Sequence, residues 1–409
     1  MKIRPEVLDH WPEVSARFPA DFDIEATARS RGAFTRKREI RNAETLLRLA
    51  LAYGGCGMSL RETCAWAEAS EVASLSDPSL LERLCKAAPW LGDLVAALIA
   101  EQTKVPVGRW AGYRLRALDG TSICEPGADR TTWRLHVGYD LATSQVDQLE
   151  LTDLHGAENL QRLTYRPGDI VLGDRYYARP RDLRPVMDAG ADFIVRTGWN
   201  SLRLLQPDGK PFDLFATLSA QVEQEGEARV GVDEGTKGSE PLILRLIIRR
   251  KDPKQIEAEL KRLLKDAKKR GKQPDPRSLE AAKYILLLTS LPADAFPPAD
   301  ILSLYRFRWQ IELAFKRFKS LAGLDKLPAH KPELARAWIY ARLIVAIIAE
   351  QIAGQVPDSS PSGPDNATRK SVALASHEDC LSHDPRRHSW TAPVAARLRR
   401  LESYPSSSL

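Results

Sequence analysis

Cysteine is scarce in this chain and odd in number: five in 409 residues, at positions 56, 64, 85, 124 and 380, without the close spacing of zinc ligands. That excludes a complete disulfide framework and a cysteine-rich metal site, and it fits reduced thiols in a cytosol. Long apolar runs are missing as well. The most apolar helix candidate, residues 339–352, is short and broken by Arg342 and Glu350, so it reads as a core helix and not as a membrane span. The amino terminus has no apolar stretch of the signal-peptide kind. A cytoplasmic chain with no membrane partner is therefore expected. Neither sign of charge dominates: 60 Lys and Arg against 54 Asp and Glu leave a net +6 and a pI near 9.0, which permits a polyanionic partner without identifying one.

What the chain does have is length and local concentration. With 43% hydrophobic residues it can bury more than one core, and its length allows about two to four domains. The positive excess is gathered between residues 249 and 272, where Arg249, Arg250, Lys251, Lys254, Lys261, Arg262, Lys265, Lys268, Lys269, Arg270 and Lys272 face only four acidic residues.

The most informative run is residues 304–319. At about 100° per residue, Tyr305, Arg308, Glu312 and Lys319 fall within a sector of about 60°, beside an apolar stripe of Leu304, Phe307, Ile311, Phe315 and Phe318. A carboxylate, two cations and a phenol would thus project together from a helix pinned to a core. Such a set can hold a divalent metal beside phosphates, since the carboxylate is a hard oxygen ligand and the cations offset phosphate charge. An ordinary amphipathic helix with a solvated polar face has the same pattern, so the rest of the chain must decide. Two further acidic residues end strand-like runs: Asp119, followed by Gly120 in the β-favouring stretch 113–123, and Asp174, closing the buried-strand pattern 169–173. Strand ends bring side chains to the rim of a sheet, within reach of ligands. Either aspartate alone reads equally as a turn or cap residue; together with a helix glutamate they make three convergent carboxylates.

These residues resemble the DDE transposases of bacterial insertion sequences, and specifically the IS-four family. Its signature of tyrosine, two residues, arginine, three residues, glutamate, six residues and lysine is matched by Tyr305, Arg308, Glu312 and Lys319 without a change of spacing. Leu118-Asp119-Gly120-Thr121-Ser122 resembles the block around the family's first aspartate, and Leu172-Gly173-Asp174-Arg175-Tyr176 the block around the second. Stretches at 133–136, 150–153, 192–196 and 286–290 are also similar, so the likeness spans roughly residues 30 to 350.

The resemblance implies an α/β fold: a ribonuclease-H-like catalytic core interrupted by a β-rich insertion, with an α-helical N-terminal DNA-binding domain. The boundaries expected are 1–105 for the helical domain, 106–198 and 290–353 for the two parts of the core, 199–289 for the insertion with its basic helix, and 354–409 for a linker and tail. It implies Asp119, Asp174 and Glu312 as catalytic metal ligands for two magnesium ions, with manganese as a substitute. Hydrolysis at the element's ends and joining of the freed 3′-hydroxyl to target DNA then follow at one metal pair. Arg308, Lys319 and Tyr305 are expected to grip phosphates. Arg36 and Arg38 in the N-terminal basic run are expected to touch DNA. The tryptophan that often stacks on a flipped base in this family is absent before the signature helix, which leaves Tyr284 or Trp199 as substitutes. The partners implied are the double-stranded ends, target DNA and a second copy in a synaptic homodimer. A transposase-derived DNA-binding protein, or a nuclease of the same fold without strand transfer, is the alternative.

Along the chain, helices are expected at 43–53, ended by the run Gly54-Gly55-Cys56-Gly57, at 60–69 behind the capping-box sequence Ser59 to Glu62, and at 80–87 and 90–99. Strands are expected at 134–140, 146–151, 169–173, 192–197, 227–232, 242–249 and 283–290, with helices at 157–163, 182–190 and 255–270. His136 and His155 read as hydrogen-bonded structural histidines, and Trp309 as core.

Overall fold

The computed structural model describes residues 5–35, 39–103, 112–127, 132–143, 145–221, 224–235, 240–309, 323–324 and 327–355. Its centre is one mixed sheet. β1 (Arg114–Ile123), β2 (Trp133–Asp140) and β3 (Gln145–Asp153) form an antiparallel meander, and β4 (Asp169–Gly173) and β5 (Asp192–Arg196) then run parallel to β1. β6 (Leu204–Leu205), β7 (Glu225–Val232) and β8 (Leu242–Arg250) do not stand apart: through β9 (Tyr284–Thr289) they prolong the same sheet, in the order β3-β2-β1-β4-β5-β9-β8-β7-β6. β9 is antiparallel to β5, and β8 to β9, so β8 points the same way as β1, β4 and β5. The carboxyl ends of four strands therefore share one edge. This order is consistent with the ribonuclease-H-like fold that the resemblance implies.

Strand alternation sorts the side chains into two cores. Leu115, Ala117, Leu172, Ile194, Ile247 and Leu287 join the core that faces the helices α2 (Ile24–Ser30), α3 (Ala43–Ala50), α5 (Asp77–Thr103), α10 (Pro298–Arg306) and α11 (Pro332–Gln355). Their neighbours Leu118, Val171, Phe193, Val195 and Leu288 belong to the opposite core, under α6 (Pro180–Asp188) and α7 (Leu214–Ala220). α4 (Leu60–Ala69) has the reciprocal capping box, Ser59 Oγ accepting from the Glu62 amide and Glu62 from the Ser59 amide. α1 (Trp11–Ser15), α8 (Pro253–Lys269) and α9 (Pro276–Ala281) complete the set used below.

Four local expectations are corrected. The helix expected at 43–53 runs two residues further, passing from α3 into a π-turn, Leu51–Gly55, that contains Gly54 and Gly55, and it stops within the expected glycine run, with Cys56 as its cap and Gly57 at a φ of 68°. Gly54 and Gly55 are small because α11 crosses there: a Cβ on Gly54 would lie 2.5 Å from Ala341 Cβ, and one on Gly55 2.7 Å from Val345 Cγ2. The two helices expected at 80–87 and 90–99 are one, α5, running through Pro89. Proline removes an amide donor, but Leu84, Ala87, Trp90, Leu91 and Leu94 are fully buried on both sides of it, and packing along α11 overrides the break. Residues 157–163 form only the 3-10 turn Leu160–Arg162. The signature run 305–319, expected to lie on one continuous helix, is interrupted: α10 ends at Arg306, Phe307 and Arg308 form a turn in which the Arg308 amide donates to the Tyr305 carbonyl at 3.1 Å, Trp309 is helical again, and residues 310–322 lie outside the described residues.

The N-terminal helices and α11 thus share one interior, although about 280 residues of sequence separate them. Gly54→Ala is expected to destabilise the chain by about 1–3 kcal/mol through overpacking. Adding Ala341→Gly should restore part of that loss in a thermal melt, and equal melting points for wild type and Gly54→Ala would refute the crossing.

Candidate active site

β1 and β4 pair in register as far as Ala117 and Leu172. Asp119 lies two residues beyond the first and Asp174 two beyond the second, so the pleat carries both carboxylates to the same side at the same height. Asp119 was expected from sequence to end its strand, and it does not. β1 continues to Ile123 against β2 alone, with Asp119 opposite Val137; what ends there is the β1–β4 ladder. Asp174 follows β4 directly and closes a short turn, its Oδ1 accepting from the Tyr176 amide at 2.8 Å. Asp119 Oδ1 accepts from the Gly120 amide at 2.8 Å.

The end of α10 supplies the positive side. The Arg308 guanidinium carbon lies 5.9 Å from the centroid of the Tyr305 ring and draws Asp119 toward its charged form. Tyr305 is desolvated, which pushes its phenol up to about 12 and keeps it a hydrogen-bond donor at neutral pH. Glu312 and Lys319 lie outside the described residues, as do Arg36 and Arg38.

Three residues near the aspartates had no assigned role from sequence. Glu158 leans over Gly120, where a Cβ would meet its carboxylate at 2.7 Å, and it pairs with Arg134 at 3.4 Å. Arg196, the last residue of β5, has a buried Nε with no hydrogen bond among the described residues. Arg175 lies beside Arg196, Arg262 and Tyr305, with Glu259 as the neighbouring anion. Glu158 sits in a stretch without periodicity, so only the fold could find it; Arg196 at least closed a recognisable strand.

Other expectations move. Tyr284 is 6% exposed in the second core and donates its hydroxyl to the Leu218 carbonyl at 3.1 Å, so it is a core residue with no open ring face for a base. Trp199 stays half-buried, edge-on to Phe215, with Arg277 over its ring at 4.6 Å and its indole N–H bonded to Ser278. His136 is buried against Thr152 Oγ1 at 2.9 Å, and burial with two nearby arginines pushes it down to about 4. It is a neutral structural imidazole.

Among the described residues no three His, Cys, Asp or Glu side chains gather closely enough to hold a metal ion. The aspartate pair still suits one. Burial raises Asp119 to about 7, with Asp174 and Glu158 adding to the rise against the Gly120 amide and Arg308. Hard oxygen donors short of positive charge are what a divalent cation relieves. Because its folded value stands above the ordinary 3.8, Asp119 contributes stability that is complete below that value and is lost as pH rises through about 7. The metal-free protein should therefore melt lower at pH 8 than at pH 6 by a margin that Asp119→Asn removes. A divalent cation, which needs the carboxylate, should raise the melting point more at pH 8 than at pH 6. Equal metal effects at the two pH values would refute this assignment.

The sequence comparisons give the family. Residues 110–348 match the family described as the transposase DDE domain, and the match takes in both aspartates and the α10 segment. The chain belongs to the DDE transposase family. The transposase for insertion sequence element IS421 of Escherichia coli is 44% identical over 349 residues, covering 84% of this chain and 94% of its relative. The InsL protein for insertion sequence element IS186A of Escherichia coli strain K12 is also 44% identical, over 348 residues with the same coverage. A transposase for element IS231F of Bacillus thuringiensis subsp. israelensis is 24% identical over 287 residues, 62% of this chain and 60% of that one. The protein is thus a DDE-type transposase, an enzyme of a family that acts on DNA with divalent metal ions, and it carries the IS-four signature. No helix among the described residues is long and apolar enough to cross a membrane.

Proposed function

We propose that this transposase binds the terminal inverted repeats of an insertion sequence, hydrolyses a phosphodiester at each end and joins the freed 3′-hydroxyl to target DNA. The observation that carries the reading is the juxtaposition of Asp119 and Asp174 on adjacent parallel strands with Arg308 and Tyr305 at the end of α10. Asp119, Asp174 and Glu312 would hold two magnesium ions, with manganese able to substitute. A bound pair supplies Lewis acidity to the attacking and leaving oxygens of an in-line displacement.

The chain's own groups do the rest. Arg308 presents a forked donor that fixes the orientation of a phosphate, and Lys319 adds a compact positive charge. Tyr305, held as a phenol, donates to a phosphate oxygen. Arg196, with an unused buried donor beside Tyr305, serves the same anion. Asp119 releases its proton as the site fills. Trp199 remains the aromatic candidate for a displaced base, and Arg277 would have to leave its ring first. Residues 1–105, with Arg36 and Arg38, are proposed to hold the repeats, with 106–198 and 290–353 as the core, 199–289 as its β-rich insertion and 354–409 as linker and tail. The active form on DNA is a homodimer in the bacterial nucleoid.

The test is nicking of a labelled inverted-repeat end in magnesium, beside binding of the same DNA without metal. Specific binding with no nicking in magnesium or manganese would replace this reading with that of a DNA-binding protein that has lost its chemistry.

A further inference from the structure

The basic run of the sequence becomes α8, and the topology gives it an address. β8 ends on the sheet edge where β1, β4 and β5 also end, and α8 starts three residues later, at Pro253. It leaves the sheet on the edge that carries Asp119 and Asp174.

None of the seventeen residues of α8 is buried: its apolar side is only half-buried, and Lys254, Lys261, Lys265 and Lys268 are exposed. Its charges are ordered. At about 100° per residue, Lys254, Lys261, Lys265 and Lys268 lie within about 60° of one another, and at about 1.5 Å per residue they span about 21 Å of helix. Ile256, Leu260, Leu263 and Ala267 occupy the opposite side. The acidic residues of the helix do not cancel the stripe: Glu259 is held by Arg262 at 2.6 Å, Glu257 pairs with Lys261 at 2.7 Å, and Asp266 lies about 130° from the stripe's centre. At the foot of the helix the positive charge continues inward. Lys251, anchored to the Ala282 carbonyl at 2.7 Å, stands near Arg175, Arg196 and Arg262, with Glu259 opposing them. Burial is the main cause that lowers its ammonium to about 8, and the three guanidinium groups add to it against Glu259. A cation row thus leads from Arg175, next to Asp174, to the far end of α8.

We propose that the lysine face of α8 is a DNA-backbone site that holds the duplex running past the cut. Rigid duplex DNA offers phosphates along a straight line at short intervals, and a straight helix with lysines every three to four residues matches it without reading bases. The inference rests on the DNA-cleaving reading above, and its test separates the two.

Binding of the full-length protein to a linear duplex carrying the element's own end is measured across a salt series. Each lysine that neutralises one phosphate contributes about 0.9 to the slope of log affinity against log salt. Replacing Lys254, Lys261, Lys265 and Lys268 together by Gln should reduce that slope by about 3.6, and the corresponding four Arg replacements should retain it. Melting points of both variants should match wild type, since no side chain of α8 is buried. An unchanged slope in the Gln variant, with wild type binding and nicking normally, overturns the α8 site and leaves the enzyme reading intact. Failure of wild type to bind the duplex overturns both.

Discussion

Asp174→Asn is expected to abolish nicking at an inverted-repeat end, by about a thousandfold or more, while binding of that end in the absence of metal stays within a few-fold of wild type. The substitution keeps volume and the turn's acceptor oxygen for the Tyr176 amide, so the local fold has no reason to change. What it removes is an anionic oxygen beside Asp119, and with it the geometry that stabilises charge on both oxygens of the displaced phosphate. A thousandfold loss corresponds to about 4 kcal/mol of barrier at about 1.4 kcal/mol per factor of ten. Glu312→Gln should give a loss of similar size, and the two combined should cost little more than either alone, as expected of residues that act as one unit. Isothermal titration with manganese, in the absence of DNA, gives a readout independent of catalysis and should show weakened binding in Asp174→Asn. Wild-type nicking by either variant would refute the three-carboxylate site.

Arg116→Met is expected to destabilise the protein by about 3–5 kcal/mol, a large part of the 5–15 kcal/mol that typically holds a domain together. Arg116 on β1 is fully buried, and its guanidinium reaches across β2 to grip both oxygens of Asp147 on β3, at 2.5 and 2.9 Å. The path is open because residue 138 on β2 is glycine: a Cβ there would lie 2.5 Å from the Asp147 carboxylate and 2.9 Å from Arg116 Nη2. The remaining nitrogen donates to the Thr164 carbonyl at 2.9 Å and contacts Asp169, which Arg114 holds as a fork at 2.7 Å. Removing Arg116 leaves two almost fully buried carboxylates, Asp147 and Asp169, sharing Arg114. The loss comes from stranding a charge, not from the net worth of the pair, so Arg116→Met with Asp147→Leu should recover a substantial part of it. Urea denaturation measures both. A loss under about 1 kcal/mol in the single variant would mean that the network adds nothing beyond packing.

The strands were legible because the sheet is buried on both sides and its β-favouring apolar runs are short and bounded: 169–173 coincides with β4, and 192–197 exceeds β5 by one residue. The capping box placed the start of α4 for a similar local reason, since Ser59 and Glu62 satisfy each other's amides within four residues. Asp119, Asp174, Tyr305 and Arg308 could be nominated from spacing and resemblance, which are properties of the sequence alone. Their proximity could not. The register that sets Ala117 beside Leu172, and so carries Asp119 alongside Asp174, is a pairing between segments 55 residues apart in sequence.

The elements misread were those decided by a distant neighbour. The helix that starts as α3 does end within the run Gly54 to Gly57, but its first two glycines are helical and are small because α11 crosses them, and Pro89 looked like a break until the same helix supplied enough buried area to carry α5 through it. Glu158, Arg196 and the address of α8 belong to that class too. Composition, periodicity and motif spacing are written in consecutive residues and determined this protein's family, its candidate chemistry and most of its strands. The gathering of carboxylates and cations at one sheet edge was decided by tertiary structure, because strand direction and helix crossing are fixed by which surfaces bury each other, and that choice involves the whole chain at once.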